Sequence, residues 1–559
     1  MTEYERWHAM KLDDPDLTEE LNAIEGNPEE INDRFYRELE FGTGGLRGVI
    51  GAGTNRINIY TVQKATQGLA NYLNKKTSHA SVAIAYDSRI KSDVFAKAAA
   101  EVLAANGITA HLYPQLMPTP ALSFAVRHLK CDAGICITAS HNPAKYNGYK
   151  AYGSDGCQVA LEMADAILDE INRLDIFRDV KHMDYDAAVE QGSIKAIGED
   201  VVIAFLNAVK SQSILDCSDS DLKVVYTPLN GSGKMCVTRI FNMIGIKNIT
   251  IVPEQSEPDG NFPTCPYPNP EFREALQVGL NLCESVQPDL LVATDPDCDR
   301  MGIAVRHNGD YQLLNGNEVG VLLLDFIARN RIANGTMPKH PVAVKTIVST
   351  ELTDSVAKEY GIELRSVLTG FKYIGDQIAG LEANGEESRY IFGFEESYGY
   401  LSGSYVRDKD AVNASMLVCE MAVDYKKQGK TLVDAIHDIY EKHGYFLNEL
   451  MNFTFEGQDG MNKMQSIMEH LRTNTPTKIA DFAVVGWSDY KASKCFDGTI
   501  ETEITLPKSN VLEYRLENGS KLIVRPSGTE PKIKFYYGVK GESIEDAEKK
   551  LEAIKEDLI

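Results

Sequence analysis

Residues 133–143 read Ala133-Gly134-Ile135-Cys136-Ile137-Thr138-Ala139-Ser140-His141-Asn142-Pro143. The apolar run up to Ile137, bounded by turn formers, is the pattern of a buried strand. A hydroxyl carried on the turn that ends such a strand, as Ser140 is, holds a nucleophile's position. Three other apolar runs end in polar clusters: Asp295-Pro296-Asp297-Cys298-Asp299-Arg300, Gly393-Phe394-Glu395-Glu396-Ser397-Tyr398-Gly399 and Arg525-Pro526-Ser527-Gly528-Thr529-Glu530-Pro531. In open α/β sheets ligands collect beyond the carboxyl ends of strands, the position of the three clusters before the last.

Outward from Ser140, short strands alternate with helices. Ser81 to Tyr86 reads as a strand. Val94 to Ala105 reads as an Ala-rich helix stopped by Asn106-Gly107. Leu161, Ala164, Ile167, Leu168, Ile171 and Leu174 mark another helix with one apolar face. The alternation recurs at Lys223 to Tyr226, Asp289 to Thr294, Val342 to Val348 and Tyr390 to Gly393, which predicts an α/β fold of several doubly wound layers. Residues 1 to about 40 read as amphipathic helix and turn, with Leu17, Leu21 and Ile24 at helical spacing before Gly26-Asn27-Pro28. Toward the end, strand-like stretches (Ile500 to Leu506, Val511 to Leu516, Lys521 to Val524, Lys532 to Val539) precede one helix that opens at Ser543 and buries Ile544, Ala547, Leu551 and Ile554. The expected organisation is three α/β domains over 1–205, 206–325 and 326–445, followed by a smaller α+β domain over 446–559.

Composition bounds the function. At 559 residues, with 43% hydrophobic content and a mean hydropathy of -0.25, the chain reads as a multi-domain globular protein. No apolar run approaches the roughly 18 residues of a membrane helix, and Met1-Thr2-Glu3-Tyr4-Glu5-Arg6 is too charged for a signal peptide, so a cytoplasmic location is expected. The ten cysteines are scattered, with no C-x-x-C pair. They read as reduced, packed thiols rather than as zinc ligands or disulfides. A net charge of -24 repels nucleic acid and anionic lipid. An anionic substrate therefore needs a local basic pocket, for which Lys150, Arg300, Lys372, Lys409 and Arg525 are suited.

The clusters divide the chemistry. A serine hydroxyl is a weak nucleophile without help; if Ser140 carries a phosphoryl group, it needs cations nearby. Lys150, ten residues on and brought back by the Asn147-Gly148 turn, could give or take a proton, with His141 as an orienting hydrogen-bonder. Asp295, Asp297 and Asp299 alternate, and converging carboxylates about 5 Å apart repel by roughly 3 kcal/mol per pair at an effective dielectric near 20. They call for a cation, and all-oxygen ligands point to magnesium. Glu395 and Ser397 can bond sugar hydroxyls. Arg525, Ser527, Gly528 and Thr529 offer a guanidinium, hydroxyls and loosened backbone amides to a phosphate. Taken singly, each cluster also reads as an ordinary polar turn.

Taken in order, the four clusters resemble those of the α-D-phosphohexomutase superfamily, along nearly the whole chain. Thr138 to Pro143 resembles its phosphoserine loop, Asp295 to Arg300 its magnesium loop, Gly393 to Gly399 its sugar-binding loop and Arg525 to Pro531 its phosphate-binding loop. Gly42-Thr43-Gly44-Gly45-Leu46-Arg47-Gly48, Thr369-Gly370-Phe371-Lys372 and Arg407-Asp408-Lys409-Asp410 look most like the bacterial phosphoglucomutase branch, related to phosphoglucomutase-2 and phosphopentomutase.

The resemblance implies four domains around a central cleft, three α/β and the last smaller. It implies Ser140 as phosphoserine and fourth metal ligand beside Asp295, Asp297 and Asp299, Lys150 as general acid/base, Arg47 and Arg300 as active-site cations, and Lys372 and Lys409 as substrate contacts. The implied reaction interconverts glucose 1-phosphate and glucose 6-phosphate through glucose 1,6-bisphosphate, with Mg²⁺ bound and the bisphosphate as activator, in a monomer or weak homodimer. One departure is Asn230, where relatives often carry histidine; Cys298, between metal ligands, should point away from the cation. Mannose and pentose phosphates stay open as substrates, as does a magnesium-dependent sugar-phosphate phosphatase using the same aspartates.

Overall fold

A computed structural model describes residues 2–42, 44–455, 457–527 and 532–558. The chain divides into two compact units. One comprises residues 1–315, 374–391 and 397–431; the other comprises 316–373, 392–396 and 432–559.

The first unit holds two mixed sheets. In the six-stranded sheet the order is Gly45–Val49, Tyr146–Gly153, Ala133–Ile137, Ser81–Tyr86, Thr109–Leu112 and Ile194–Ala196. Ala133–Ile137 runs parallel to Ser81–Tyr86 and antiparallel to Tyr146–Gly153. All five residues of Ala133–Ile137 are buried, as expected of a strand covered on both faces. The five-stranded sheet has the order Asp310–Leu314, Met301–His307, Leu290–Thr294, Lys223–Thr227 and Asn248–Ile251, and Leu290–Thr294 is again wholly buried. Both chemistry-bearing turns, at Ser140 and at Asp295, thus leave the buried middle of a sheet, where packing on both faces fixes their origin.

The N-terminal stretch differs from expectation. It forms three short helices, Glu3–Ala9, Pro15–Ala23 and Pro28–Phe35. Gly26 turns the chain in the left-handed region, and Asn27 then caps the next helix by accepting from Glu30 N–H, so Gly26-Asn27-Pro28 opens a helix as well as ending one. Trp7 is fully buried against Phe35, Tyr60 and Phe177. A second difference concerns Asn147-Gly148, which lie within a strand and make no turn. Gly148 is needed there for close approach, because a Cβ would stand 2.4 Å from Thr138 O. Antiparallel pairing sets Lys150 opposite Cys136, while the actual turn closes with Tyr146 N–H donating to Pro143 O.

Within the second unit, Val342–Thr346 and Glu363–Val367 pair in parallel, and the residues after 444 build an eight-stranded sheet. The helix Ile544–Leu558 covers that sheet with Ala547, Leu551 and Ile554 buried, and Asp546 N–H bonds to Ser543 Oγ at its start. Ile544, expected inside, opens the helix and is 38% exposed. Ile347, Val348 and Leu368 pack with Tyr490, Val511, Ile523 and Tyr536. Lys521 Nζ adds bonds to Ile347 O at 2.7 Å and to the Glu351 carboxylate. Burial opposes the Glu351 charge, yet Lys345 and Lys521 hold its pKa down to about 2.

The helix Ala411–Lys427 belongs to the first unit and is nearly all buried. Asp410 caps it by accepting from Val412 and Asn413 N–H. Glu420, fully buried, ties its middle to another segment, accepting from Ser213 Oγ, Ile214 N–H and Leu215 N–H. Glu420→Ala should cost about 2–3 kcal/mol, since it strands buried donors, and a thermal melt reads this as a lowered midpoint. Burial pushes the Glu420 pKa up to about 7 from 4.5. Between those values the folded chain keeps a proton that the unfolded chain releases, so stability falls as pH rises through the window. Melts of Glu420→Gln across that window should lose this component of the pH dependence.

Candidate functional site

The turn after Ile137 places Ser140 at φ +52°, in the left-handed region that residues with a Cβ seldom adopt. Ser140 N–H donates to Thr138 Oγ1 at 2.8 Å, and its Oγ donates to Asp295 Oδ2 at 2.9 Å, with His141 Nδ1 at 3.1 Å. Ser140 is 3% exposed. Burial, and then the charges of Arg300 and Arg47, push the His141 pKa well below its ordinary value. A neutral imidazole therefore faces the hydroxyl, fitting an orienting role.

The second turn, after Leu290–Thr294, repeats the left-handed device at Cys298, φ +52°. Asp295 Oδ1 accepts from the backbone N–H of Asp299 and Arg300, both at 3.0 Å, which curls the turn around its own first carboxylate. One ligand atom from each of Asp295, Asp297 and Asp299 lies within 4.8 Å of the others, and all three side chains are buried. Asp297 Oδ1 and Asp299 Oδ1 have no hydrogen-bond partner though buried. An orphaned pair of carboxylate oxygens beside a third carboxylate is a donor set that fits a hard divalent cation. Cys298 turns its thiol toward the start of helix Gly233–Ile244, where a Cβ on Gly233 would come 2.9 Å from its Sγ. It thus points into packing.

Two lysines offset this charge. Lys150 Nζ lies 2.8 Å from Asp297 Oδ2 and 3.4 Å from Asp299 Oδ2, and Lys409 Nζ lies 3.2 Å from Asp299 Oδ2 and from Asp408 Oδ1. Burial and then the two neighbouring aspartates raise the Asp295 pKa well above the carboxylate range. Burial pushes Asp297 the same way, but Lys150 prevails and holds it below. Thr119 Oγ1 also donates to Asp297 Oδ2, at 2.9 Å. Arg300 Nη1 pairs with Glu271 Oε1 at 2.6 Å. Arg47 donates to Asn142 Oδ1 at 3.4 Å, on the Ser140 turn.

Ser140, His141, Lys150, Arg47, Arg300, Lys409 and the three aspartates therefore share the first unit. Ser397 belongs to that unit as well, half-buried between Tyr390–Glu395 and Gly399–Leu401. Lys372, Glu395, Arg525 and Ser527 belong to the second. There Glu395 Oε1 accepts from Gly370 N–H at 2.8 Å, beside Lys372, whose ammonium lies 5.2 Å from the centre of the Tyr373 ring. Arg525 bonds the Tyr536 hydroxyl, which Glu395 and Glu396 also influence. Ser527 N–H donates to Lys532 O at 2.7 Å. Gly528 and Thr529, like Thr43, lie outside the described residues. Asn230, φ +56°, donates from Nδ2 to the carbonyls of Glu254 and Glu257, clamping its own loop.

Sequence reasoning missed Asp87, Arg89, Thr119 and Glu271, and gave Asp408 no role of its own. Tyr152 Oη donates to Asp408 Oδ2 at 2.7 Å, which orients the carboxylate facing Lys409. Asp87-Ser88-Arg89 does follow the strand Ser81–Tyr86 at its carboxyl end, so the rule that singled out Ser140 applied to it too.

Comparison with known proteins bears on this geometry. Three family descriptions match in order: Phosphoglucomutase/phosphomannomutase, alpha/beta/alpha domain I over residues 38–176, domain II over 203–309 and domain III over 315–443. A phosphoglucomutase of Staphylococcus saprophyticus is 40% identical over 529 residues, covering 94% of this chain and 95% of its own. One of Staphylococcus aureus is 39% identical over 532 residues, covering 94% of each. Among solved structures, a putative phosphomannomutase from Thermus thermophilus superposes with a TM-score of 0.69 at 22% identity, over 93% of this chain and 98% of that one. Paramecium pp63/parafusin in its open form gives 0.69 at 17%, over 93% and 95%. These two show the shared fold.

If the aspartate trio holds a cation, Mn²⁺ titration followed by electron paramagnetic resonance should find one site on the native protein. Asp297→Asn and Asp299→Asn should each weaken it by about tenfold or more, since a hard ion depends on ligand charge. Unchanged binding in both would put the ion elsewhere.

Proposed function

The chain belongs to the phosphoglucomutase/phosphomannomutase family, and we infer that it is a phosphoglucomutase, interconverting α-D-glucose 1-phosphate and glucose 6-phosphate. The observation that carries the chemistry is the 2.9 Å bond from Ser140 Oγ to Asp295, inside a group of three buried carboxylates. A phosphoryl group taken up by that hydroxyl would lie beside the candidate cation site, where its charge would be offset.

In this reading phosphorylated Ser140 gives its phosphoryl group to O6 of glucose 1-phosphate. The P–O bond to Ser140 breaks and the bond to O6 forms; Lys150, in the general acid/base role assigned to it, gives a proton to the departing Ser140 oxygen and is restored by the O6 proton. The product is glucose 1,6-bisphosphate. After it turns around, the bond from phosphorus to O1 breaks as that phosphoryl group bonds to Ser140 Oγ, the serine proton passes to O1, and glucose 6-phosphate leaves. Asp295, Asp297 and Asp299 would hold Mg²⁺, which when bound offsets charge on the transferring group. Arg47 and Arg300 add positive charge, and His141 orients the serine. Glu395, Ser397, Lys372 and Lys409 are assigned to the sugar phosphate, and Arg525, Ser527, Gly528 and Thr529 to the phosphate that is not reacting. Glucose 1,6-bisphosphate then acts as activator by phosphorylating empty enzyme.

The relatives matched over nearly the whole chain carry a mutase's name, which favours a mutase over a phosphatase. Names of the relatives favour glucose over mannose. A coupled assay with glucose, mannose and pentose 1-phosphates should give the highest kcat/KM for glucose, need Mg²⁺ and rise with added bisphosphate. Ser140→Ala should lose at least about a thousandfold in kcat, the scale at which covalent nucleophiles fail on removal. Substantial turnover by that variant would contradict the reading.

A further inference from the structure

Four main-chain carbonyls of the Ser140 turn converge on one buried side chain. Arg89 Nη2 donates to Ser140 O at 2.5 Å and to Asn142 O, and Nη1 donates to Pro143 O and Tyr146 O, both at 3.0 Å. Its Nε lies 3.4 Å from Asp87 Oδ2, and both side chains are fully buried. Asp87 is itself saturated, accepting from Thr138 Oγ1 at 2.7 Å, Ser92 Oγ at 2.8 Å and Arg89 N–H at 2.9 Å. Thr138 Oγ1 in turn takes the Ser140 N–H. The Phe262 ring lies 5.1 Å from the guanidinium carbon, and Gly260 lets that loop approach: a Cβ there would stand 2.4 Å from Ile90 N.

A guanidinium is the one side chain whose fixed fork of donors can satisfy carbonyls in several directions at once. A left-handed serine persists only where its surroundings over-determine it. We propose that Arg89, locked by Asp87, is a positioning residue for phosphoryl transfer, fixing through these four carbonyls the turn that aims Ser140 Oγ at Asp295. All its side-chain hydrogen bonds go to carbonyls, so it reaches the Ser140 hydroxyl and the carboxylates of Asp295 and Asp297 through the turn and through its charge. The inference rests on Ser140 as the phosphoryl carrier. Without the clamp the turn relaxes and the hydroxyl shifts, whereas the groups assigned to the sugar phosphate stay in place. The loss therefore falls on kcat.

The test uses the full chain. Arg89→Ala should lower kcat about 30–100-fold, the scale of a roughly 1 Å misplacement, while KM stays within about threefold. Guanidinium chloride at millimolar concentration should restore kcat at least about fivefold by refilling the cavity, and Arg89→Lys, which cannot span four carbonyls, should remain impaired. A wild-type kcat in Arg89→Ala overturns the proposal, as does a loss shared by kcat and KM without guanidinium rescue. If Arg89→Ala does not fold, Thr138→Val carries the test. It removes the acceptor of the Ser140 N–H and should show the same kcat-only loss; a wild-type kcat overturns the proposal. Ser140→Ala runs alongside. Activity in that variant removes the phosphoserine reading itself, whereas an inactive Ser140→Ala beside a fully active Arg89→Ala removes only the role of Arg89.

Discussion

Three carboxylates within 4.8 Å of one another, all buried, are the constraint around which the first unit is arranged. Each pair repels by roughly 3 kcal/mol at an effective dielectric near 20, and burial adds a desolvation cost. Within the turn itself, only two backbone N–H groups and the Arg300 charge offset part of this. The balance comes from distant parts of the chain: Lys150 on a strand of the six-stranded sheet, Lys409 ahead of the helix Ala411–Lys427, and the Thr119 hydroxyl. Charge that is costly in the folded state is retained where a ligand or a reaction uses it.

The same turns store backbone strain. Ser140, Cys298 and Tyr398 all sit at positive φ in loops that leave buried strands. Met301 N–H, just beyond the aspartates, bonds to Tyr398 O, so two of these loops brace each other within one unit. Rigid strands below and cross-bracing above are what a preorganised site requires.

Much of this was legible in the sequence. Period and turn chemistry gave the α/β alternation, and the strand-end rule picked out Ser140 and the aspartates, which the fold brings into contact across 155 residues. What was not legible depends on pairing between remote segments. Gly148 reads as a turn residue, yet its lack of a Cβ serves the approach of Thr138 O. Lys150 reaches Asp297 through strand register, not through the chain reversal its neighbours suggest. Arg89, an unremarked arginine in a polar loop, acquires its role only once four carbonyls from residues more than fifty positions away meet it. Ile544 shows the converse: helical period alone assigns it to the core, but as the first residue of its helix it stays partly in solvent.

The central claim is that one side chain carries the phosphoryl group between the two ends of the sugar. Rapid-quench labelling tests it most directly: protein mixed with bisphosphate bearing ³²P, then digested and sequenced, followed by a chase with unlabelled glucose 1-phosphate. The account predicts label on Ser140 alone, formed and discharged at least as fast as turnover. Label on another residue, or steady turnover with Ser140 unlabelled, would contradict it.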